Sequence, residues 1–371
     1  MMDSIFSGMV TLVAFLVMLG LLVLVHELGH FLTAVWLGIK VEEFGFGFPP
    51  RALVLFERNG VKYTLNWLPI GGFVRFGGES ESVYGVGSLS VAAPWKKIAV
   101  LLAGPLMNLL LAILIYTTMF AVKGVPVAAD GAQIGTVYSG TPAATAGFKA
   151  GDILLELGGQ SVGRQLKVIS QAAQSNPGVP ITAIVQRGNQ HLSLQVTPGP
   201  WTTPEGEQRA VGFGFSYGPN QQIVPASPPA AVVAGFETTW EILGSFIGGL
   251  SQALGGLLGL NALPPGGVGG PITIARGTGE IIQNFGLPGF WRWTAFISLN
   301  LFLINMLPIP ALDGSHIMFS LLEVLRRGKK IPPEKEALVH AIGFMVLMGL
   351  MLIITVSDVA NWINGVPALG G

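Results

Sequence analysis

Residues 5–25 contain no Asp, Glu, Lys or Arg, and neither do residues 98–122, 293–312 and 337–357. Runs of this length constrain the fold more than any other feature of the chain. A bilayer core takes roughly 20 apolar residues to cross as a helix. Within lipid every backbone N–H and C=O must be paired inside the protein, which favours helices. The sequence therefore predicts a polytopic α-helical membrane protein with four transmembrane helices. Composition agrees, since 11% of the 371 residues are charged, against about 25% in soluble domains. A fifth uncharged stretch, residues 242–275, is rich in Gly and holds Pro264 and Pro265. It reads as an amphipathic or re-entrant element rather than a span. The first run is not a good signal peptide, because no basic residue precedes it and it exceeds the usual apolar length.

Basic residues in short loops set orientation. The loop after the first run carries Lys40, Arg51, Arg58, Lys62, Arg75, Lys96 and Lys97. The loop after the third carries Arg326, Arg327, Lys329, Lys330 and Lys335, and neither tail has any. Both basic loops are expected in the cytoplasm, with both termini and the segment between the second and third runs outside. The formal net charge is zero, which gives no reason to expect a nucleic-acid partner. With no cysteine there is no disulfide, thiolate ligand or cysteine nucleophile.

Residues 52–57 and 61–68 read as two strands around Arg58-Asn59-Gly60, because Asn-Gly signals a hairpin turn. Gly71-Gly72 opens another short strand through Phe76. Residues 128–200 read as a small water-facing domain. Strands are expected at 134–138, 153–157, 181–187 and 191–197, with helices at 142–146 and 166–174.

The first run leads directly into His26-Glu27-Leu28-Gly29-His30, an H-E-x-x-H pattern. On a helix, positions i and i+4 share a face, so His26 and His30 can bind one metal. Glu27 can then take a proton from water activated by Zn2+, as in metalloproteases. The competing explanation, a chance match with solvated side chains, is weakened because ionisable groups at a span are costly and usually functional. A catalytic zinc also wants a third protein ligand and an open position. A third His ten residues after the first is excluded, because Trp36 stands there. Glu42, Glu43 and Glu57 are possible ligands but lie in the hairpin region.

The better candidate is distant. The third run ends Asn305-Met306-Leu307-Pro308-Ile309-Pro310-Ala311-Leu312-Asp313-Gly314. Two prolines in three residues remove two donors and break the helix. Asp313 would then sit level with the first motif and is taken as the third ligand. By itself it is more readily an ordinary Asp-Gly turn at a helix end, and the matching depth of the first motif reverses that preference. Asn305 can donate to a substrate carbonyl, or make an interhelical hydrogen bond. His316 and His340 are rival ligands.

With these motifs in place, the chain resembles the site-2 protease family of intramembrane zinc metalloproteases, most closely its bacterial PDZ-containing branch. The resemblance rests on HELGH at 26–30, Gly45-Phe46-Gly47, Leu68-Pro69-Ile70-Gly71-Gly72-Phe73-Val74, Ala103-Gly104-Pro105-Leu106-Met107-Asn108, Gly269-Gly270-Pro271-Ile272 and the 305–314 block. It implies zinc held by His26, His30 and Asp313, with Glu27 as general base and Asn305 touching substrate. It also implies a membrane-associated β-hairpin sheet whose edge, at Gly71, Gly72 and Phe73, takes the substrate as an added strand. Unwinding a helix exposes its backbone groups, and strand addition pairs them again. The two glycines would permit close approach, or simply make a turn. Gly104-Pro105 can let helices pack closely.

Residues 133–195 are similar to one PDZ domain, centred on Ala146-Gly147-Phe148-Lys149-Ala150-Gly151-Asp152-Ile153-Leu154. Such a domain, expected to be extracytoplasmic and α+β, would bind a peptide end, including the end of a substrate already cut upstream, or act as a size filter. The chain departs from the best-studied proteobacterial members in having one such domain rather than two. Ser315 also stands where many relatives have Gly.

The division expected is residues 1–127 as an N-terminal membrane half, 128–200 as the PDZ-like domain, 201–290 as a connector and 291–371 as a C-terminal membrane half. The resemblance implies a multi-pass inner-membrane endopeptidase that cuts transmembrane segments of single-span proteins, such as anti-sigma factors or signal-peptide remnants. Its partners would be those substrates and the lipid bilayer, and its active site would lie near the cytoplasmic face. A PDZ-based adaptor without activity would have no use for all four of His26, Glu27, His30 and Asp313. A metal transporter would need further carboxylates within the spans, which they lack.

Overall fold

The computed structural model describes residues 2–77, 89–203, 208–257, 270–329, 331–366 and 368. The chain forms two compact units, residues 1–120 with 231–371, and residues 121–230.

In the first unit, α1 runs Met2–Trp36, followed by β1 (Val41–Arg58) and β2 (Val61–Phe76). A short 3-10 turn at Leu89–Val91 leads into α2 (Pro94–Lys123). After the second unit come α5 (Pro228–Leu257), α6 (Pro271–Met306), α7 (Asp313–Leu325) and α8 (Pro333–Ile363). Among the described residues, three helical stretches are long and apolar enough to cross a membrane: Phe6–Trp36, Pro94–Lys123 and Glu334–Ile363. The first continues past the apolar run, so HELGH lies inside α1 rather than after it.

The third apolar run is divided. Helix α6, interrupted ahead of the run at Gly286 (φ 61°), holds only its residues 293–306 and ends at Met306. Pro308 and Pro310 then deny the backbone donors that further turns would need. The stretch 242–275 is also not one element. Its first part belongs to α5 and its last part to α6, while residues 258–269, with Pro264 and Pro265, lie outside the described residues. Helix α5 packs through Leu243 onto Ala112, Ile115, Ala295 and Leu299 of α2 and α6. Ala14, Met18 and Leu22 of α1 pack on Phe290 and Ile297 of α6.

The hairpin is longer and more folded than its turn signal suggests. Glu43, Phe44, Gly45 and Phe46 have partners on both sides, Lys62 to Leu65 on one and Gly72 to Arg75 on the other. Gly47 (φ 80°) and Gly71 (φ 84°) let each strand bend, so two long strands make four short rungs. The alternation of Val61, Tyr63 and Leu65 marks only one of those rungs. Phe44, Val61 and Phe76 pack beneath Phe31 and Ala34 of α1 and Val100 of α2. The far tip leaves Leu53, Val54, Leu55 and Phe56 exposed. An apolar tip of this kind fits a lipid environment better than water.

In the second unit, β3 is Val125–Val137, α3 Pro142–Ala146, β4 Ile153–Leu157, β5 Gln160–Ser161 and α4 Lys167–Ser175. They are followed by β6 (Ile181–Arg187), β7 (Gln190–Val196), β8 (Gly199–Thr202), β9 (Gln208–Gly212) and β10 (Phe215–Val224). The main sheet has the order β10-β3-β4-β6-β7, with β5 on β4. The unit is larger than residues 128–200. Strand β10 comes from the stretch expected to be connector, and it pairs with β3 from Phe215–Val137 to Val224–Val125. Its Phe215 lies in the same core as Phe148, Leu154 and Val185.

Candidate metal centre

Two glycines bring α1 and α2 together. A Cβ on Gly29 would overlap the Ala103 carbonyl, and one on Gly104 would overlap the His30 imidazole. The close approach puts His30 Nδ1 2.8 Å from the Val100 carbonyl oxygen. A carbonyl only accepts, so Nδ1 carries the proton and Nε2 presents its lone pair. Four residues earlier, His26 Nε2 lies 3.1 Å from His30 Nε2.

The break after α6 delivers the third group. Asp313 opens α7, and its Oδ2 lies 3.1 Å from His26 Nε2 and 3.5 Å from His30 Nε2. Ligand bonds of about 2.0–2.1 Å in a tetrahedral zinc site put donor atoms roughly 3.3 Å apart. The three separations match that figure. Asp313 Oδ2 is buried with no hydrogen-bond donor. An orphaned carboxylate oxygen facing two imidazole nitrogens calls for a cation. The three residues could hold a metal ion together.

The three open into a cavity of about 1000 Å³. Its polar wall includes Glu27, Lys97, His316, Glu323 and Glu336. Glu27 also meets the Val74 backbone amide of β2. A Cβ built on Gly72 would lie 3.8 Å from Glu27 Cγ, so the final rung of β2 runs beside Glu27. The outer side of that rung has no strand partner among the described residues. Gly71 adjoins Val23 of α1, and the Phe73 ring fills the space where Gly45 lacks a side chain.

Other candidates are placed elsewhere. Asn305 is half-buried in the last turn of α6 and does not line the cavity. Glu43 is buried, with Oε1 accepting from Thr64 at 2.8 Å and Oε2 from Arg51 at 2.6 Å and Arg75 at 2.8 Å. Burial pushes its pKa up, but these donors outweigh burial and hold it below the usual carboxylate range. It ties the rungs of the sheet and is not free to ligate. His316, Glu336 and His340 form a second group at the cavity wall.

The peptidase family M50 model matches residues 14–350. The chain belongs to peptidase family M50. It is 29% identical to the zinc metalloprotease RasP of Oceanobacillus iheyensis, over 95% of this chain and 99% of that one. It is also 29% identical to the regulator of sigma-W protease RasP of Bacillus subtilis, over 94% and 98%. A solved PDZ domain of the SdrC-like protein from Listeria innocua matches 24% of this chain and 93% of its own, at 22% identity and a TM-score of 0.20. This M50 chain is a zinc metalloprotease of a multi-pass membrane type.

One residue of the M50 site was not singled out by sequence reasoning. The Asn108 amide lies 3.4 Å from His26 Nδ1. The amide nitrogen is the nearer atom, but if His26 presents Nε2 to a metal, Nδ1 holds the proton and the Asn108 amide must turn over to offer oxygen. That orientation also supplies a partner for the one amide oxygen otherwise orphaned there. The available signal was spacing, since Asn108 follows Gly104 by one helical turn and so shares its face.

Proposed function

We propose that this M50 chain is an intramembrane endopeptidase that cuts transmembrane segments, with zinc held by His26, His30 and Asp313. One observation carries this reading. Three metal-binding atoms converge on a helix that is long and apolar enough to span a bilayer. Bound zinc would act as a Lewis acid, activating water and polarising the scissile carbonyl. Glu27, on the helix that bears both histidines, would take the proton from the attacking water and pass it to the leaving amine. The Val100 carbonyl and Asn108 would hold the two imidazoles in the required tautomers.

The final rung of β2 would receive the substrate as an added strand, with Gly71, Gly72 and Phe73 beside it. Pairing there would bring an unwound segment alongside Glu27. Asn305 would touch the substrate only after movement at the end of α6. The four-span arrangement, with residues 293–312 as the third crossing, rests on the apolar runs. The basic loops support an inner-membrane orientation with the site near the cytoplasmic face and the termini outside. The substrates would be single-span proteins such as anti-sigma factors, in keeping with the name of the Bacillus subtilis relative, regulator of sigma-W protease. The PDZ-like unit would engage an upstream-cut end.

The test is cleavage of a reporter with one transmembrane segment, in liposomes holding the wild type or Glu27→Gln. Product from the wild type and none from a zinc-loaded Glu27→Gln is expected. Equal cleavage by both would end the assignment.

A further inference from the structure

The residues between α6 and α7 turn tightly. Ile309 N–H donates to the Leu307 carbonyl at 2.7 Å, and Leu312 N–H to the Ile309 carbonyl at 3.1 Å. Between them Ala311 sits at φ 74°. That left-handed conformation is unfavourable for a residue with a Cβ, and it persists only where surroundings impose it. Asp313 is two residues further on, so whatever imposes the turn also places its carboxylate.

Helix α8 supplies the constraint. Ala311 N–H donates to His340 Nδ1 at 3.0 Å. One turn later, Gly343 lies against Pro310 so closely that a Cβ would overlap the proline ring. The His340 ring is itself fixed, stacked on His316 with centroids 3.9 Å apart and planes at 16°. Phe319 packs on it at 5.4 Å.

The direction of the Ala311 bond decides the chemistry of His340. A backbone N–H only donates, so Nδ1 is the lone-pair nitrogen and neutral His340 carries its proton on Nε2. A metal ligand needs the opposite, with the second nitrogen donating to a partner. The His316, Glu336 and His340 group is therefore not a second metal site in this arrangement.

We propose that His340 is a positioning residue for Asp313, holding the 307–312 turn through its Nδ1 acceptor so that the carboxylate meets His26 and His30. The proposal rests on the assignment of Asp313 as a zinc ligand. Full-length wild type, Asp313→Ala, His340→Ala, His340→Asn, His340→Gln and Gly343→Ala are purified, and zinc per chain and the rate of zinc loss to a chelator are measured with cleavage. Asp313→Ala should lack zinc. His340→Ala should lose zinc at least tenfold faster than wild type, with a matching fall in kcat.

An Asn oxygen can occupy the Nδ1 position, whereas a Gln amide reaches only the Nε2 position. His340→Asn should therefore recover zinc retention, and His340→Gln should not. Gly343→Ala keeps every His340 atom but presses on Pro310, and should also speed zinc loss. Wild-type zinc retention in both His340→Ala and Gly343→Ala, with Asp313→Ala empty, would overturn the positioning role. Equal rescue by Gln and Asn would overturn it too, by showing that bulk rather than the acceptor matters. Zinc retained by Asp313→Ala would instead remove the ligand assignment beneath both readings.

Discussion

Gly104 sets how closely a histidine can approach a neighbouring helix. A methyl there would occupy the space of the His30 imidazole. Gly104→Ala should cut both zinc occupancy and cleavage at least tenfold while helix content stays unchanged. Gly8→Ala, where nothing lies within 4 Å, should retain both. Metal analysis beside circular dichroism checks this, and a zinc-loaded Gly104→Ala would refute it. Asp152 makes a different kind of prediction. Its carboxylate, 1% exposed, takes 2.7 Å hydrogen bonds from Arg187 at both oxygens and a 2.8 Å bond from the Lys149 amide. Burial alone would raise its pKa, but these donors hold it below the usual range. The folded value is therefore lower than the unfolded value of about 3.9. The stabilisation is present above about pH 4 and is lost as pH falls through the folded value. Asp152→Ala should destabilise residues 121–230 by about 1–3 kcal/mol at neutral pH. Hydrogen exchange should show the gap from wild type closing under acid. A gap independent of pH would contradict the ionic explanation.

At the scale of elements, the hairpin and the broken helix differ in how much the sequence disclosed. Arg58-Asn59-Gly60 marked the turn correctly, because Asn59 and Gly60 both take positive φ. The bends at Gly47 and Gly71 were not legible as such, since glycine in a strand fits a bulge, a bend or a close approach equally well. The register that brings Gly72 beside Phe46 and near Glu27 belongs to the folded sheet. Gly72→Val should lower kcat/KM at least tenfold and leave zinc content unchanged, because the added side chain meets the Gly45 carbonyl and not the metal ligands. Loss of zinc in that variant would mean that the strand supports the site rather than the substrate. The proline break was legible, because missing donors at Pro308 and Pro310 end a helix wherever they occur. What holds the resulting turn was not, since Ala311 and His340 are 29 residues apart and belong to different elements.

For the whole molecule, the absence of cysteine makes topology directly measurable. A single cysteine at Arg326 should label from the cytoplasmic face with an impermeant thiol reagent. A cysteine at Asn189 should label from the opposite face. Labelling of Asn189→Cys and Arg326→Cys from one side would contradict the four-span arrangement. Removing zinc from the whole enzyme by chelation should abolish cleavage, and stoichiometric zinc should restore it. Retained activity in metal-free protein would contradict the metalloprotease assignment for this chain.

The division of labour between sequence and structure follows from the range of each interaction. Transmembrane length, the His26 and His30 spacing and the helix-breaking prolines depend on residues within a turn or two of each other, so the linear pattern determined them. The convergence of Asp313 on His26, nearly 290 residues away, was suggested only by matched depth and by resemblance. Tertiary packing decided the rest: Gly29 and Gly104 set the helix approach, Val100 set one tautomer, and Asn108 met His26. Packing also moved β10 from connector to sheet and tied Glu43 into the hairpin. These outcomes depend on which surfaces meet, and a linear pattern does not encode that directly.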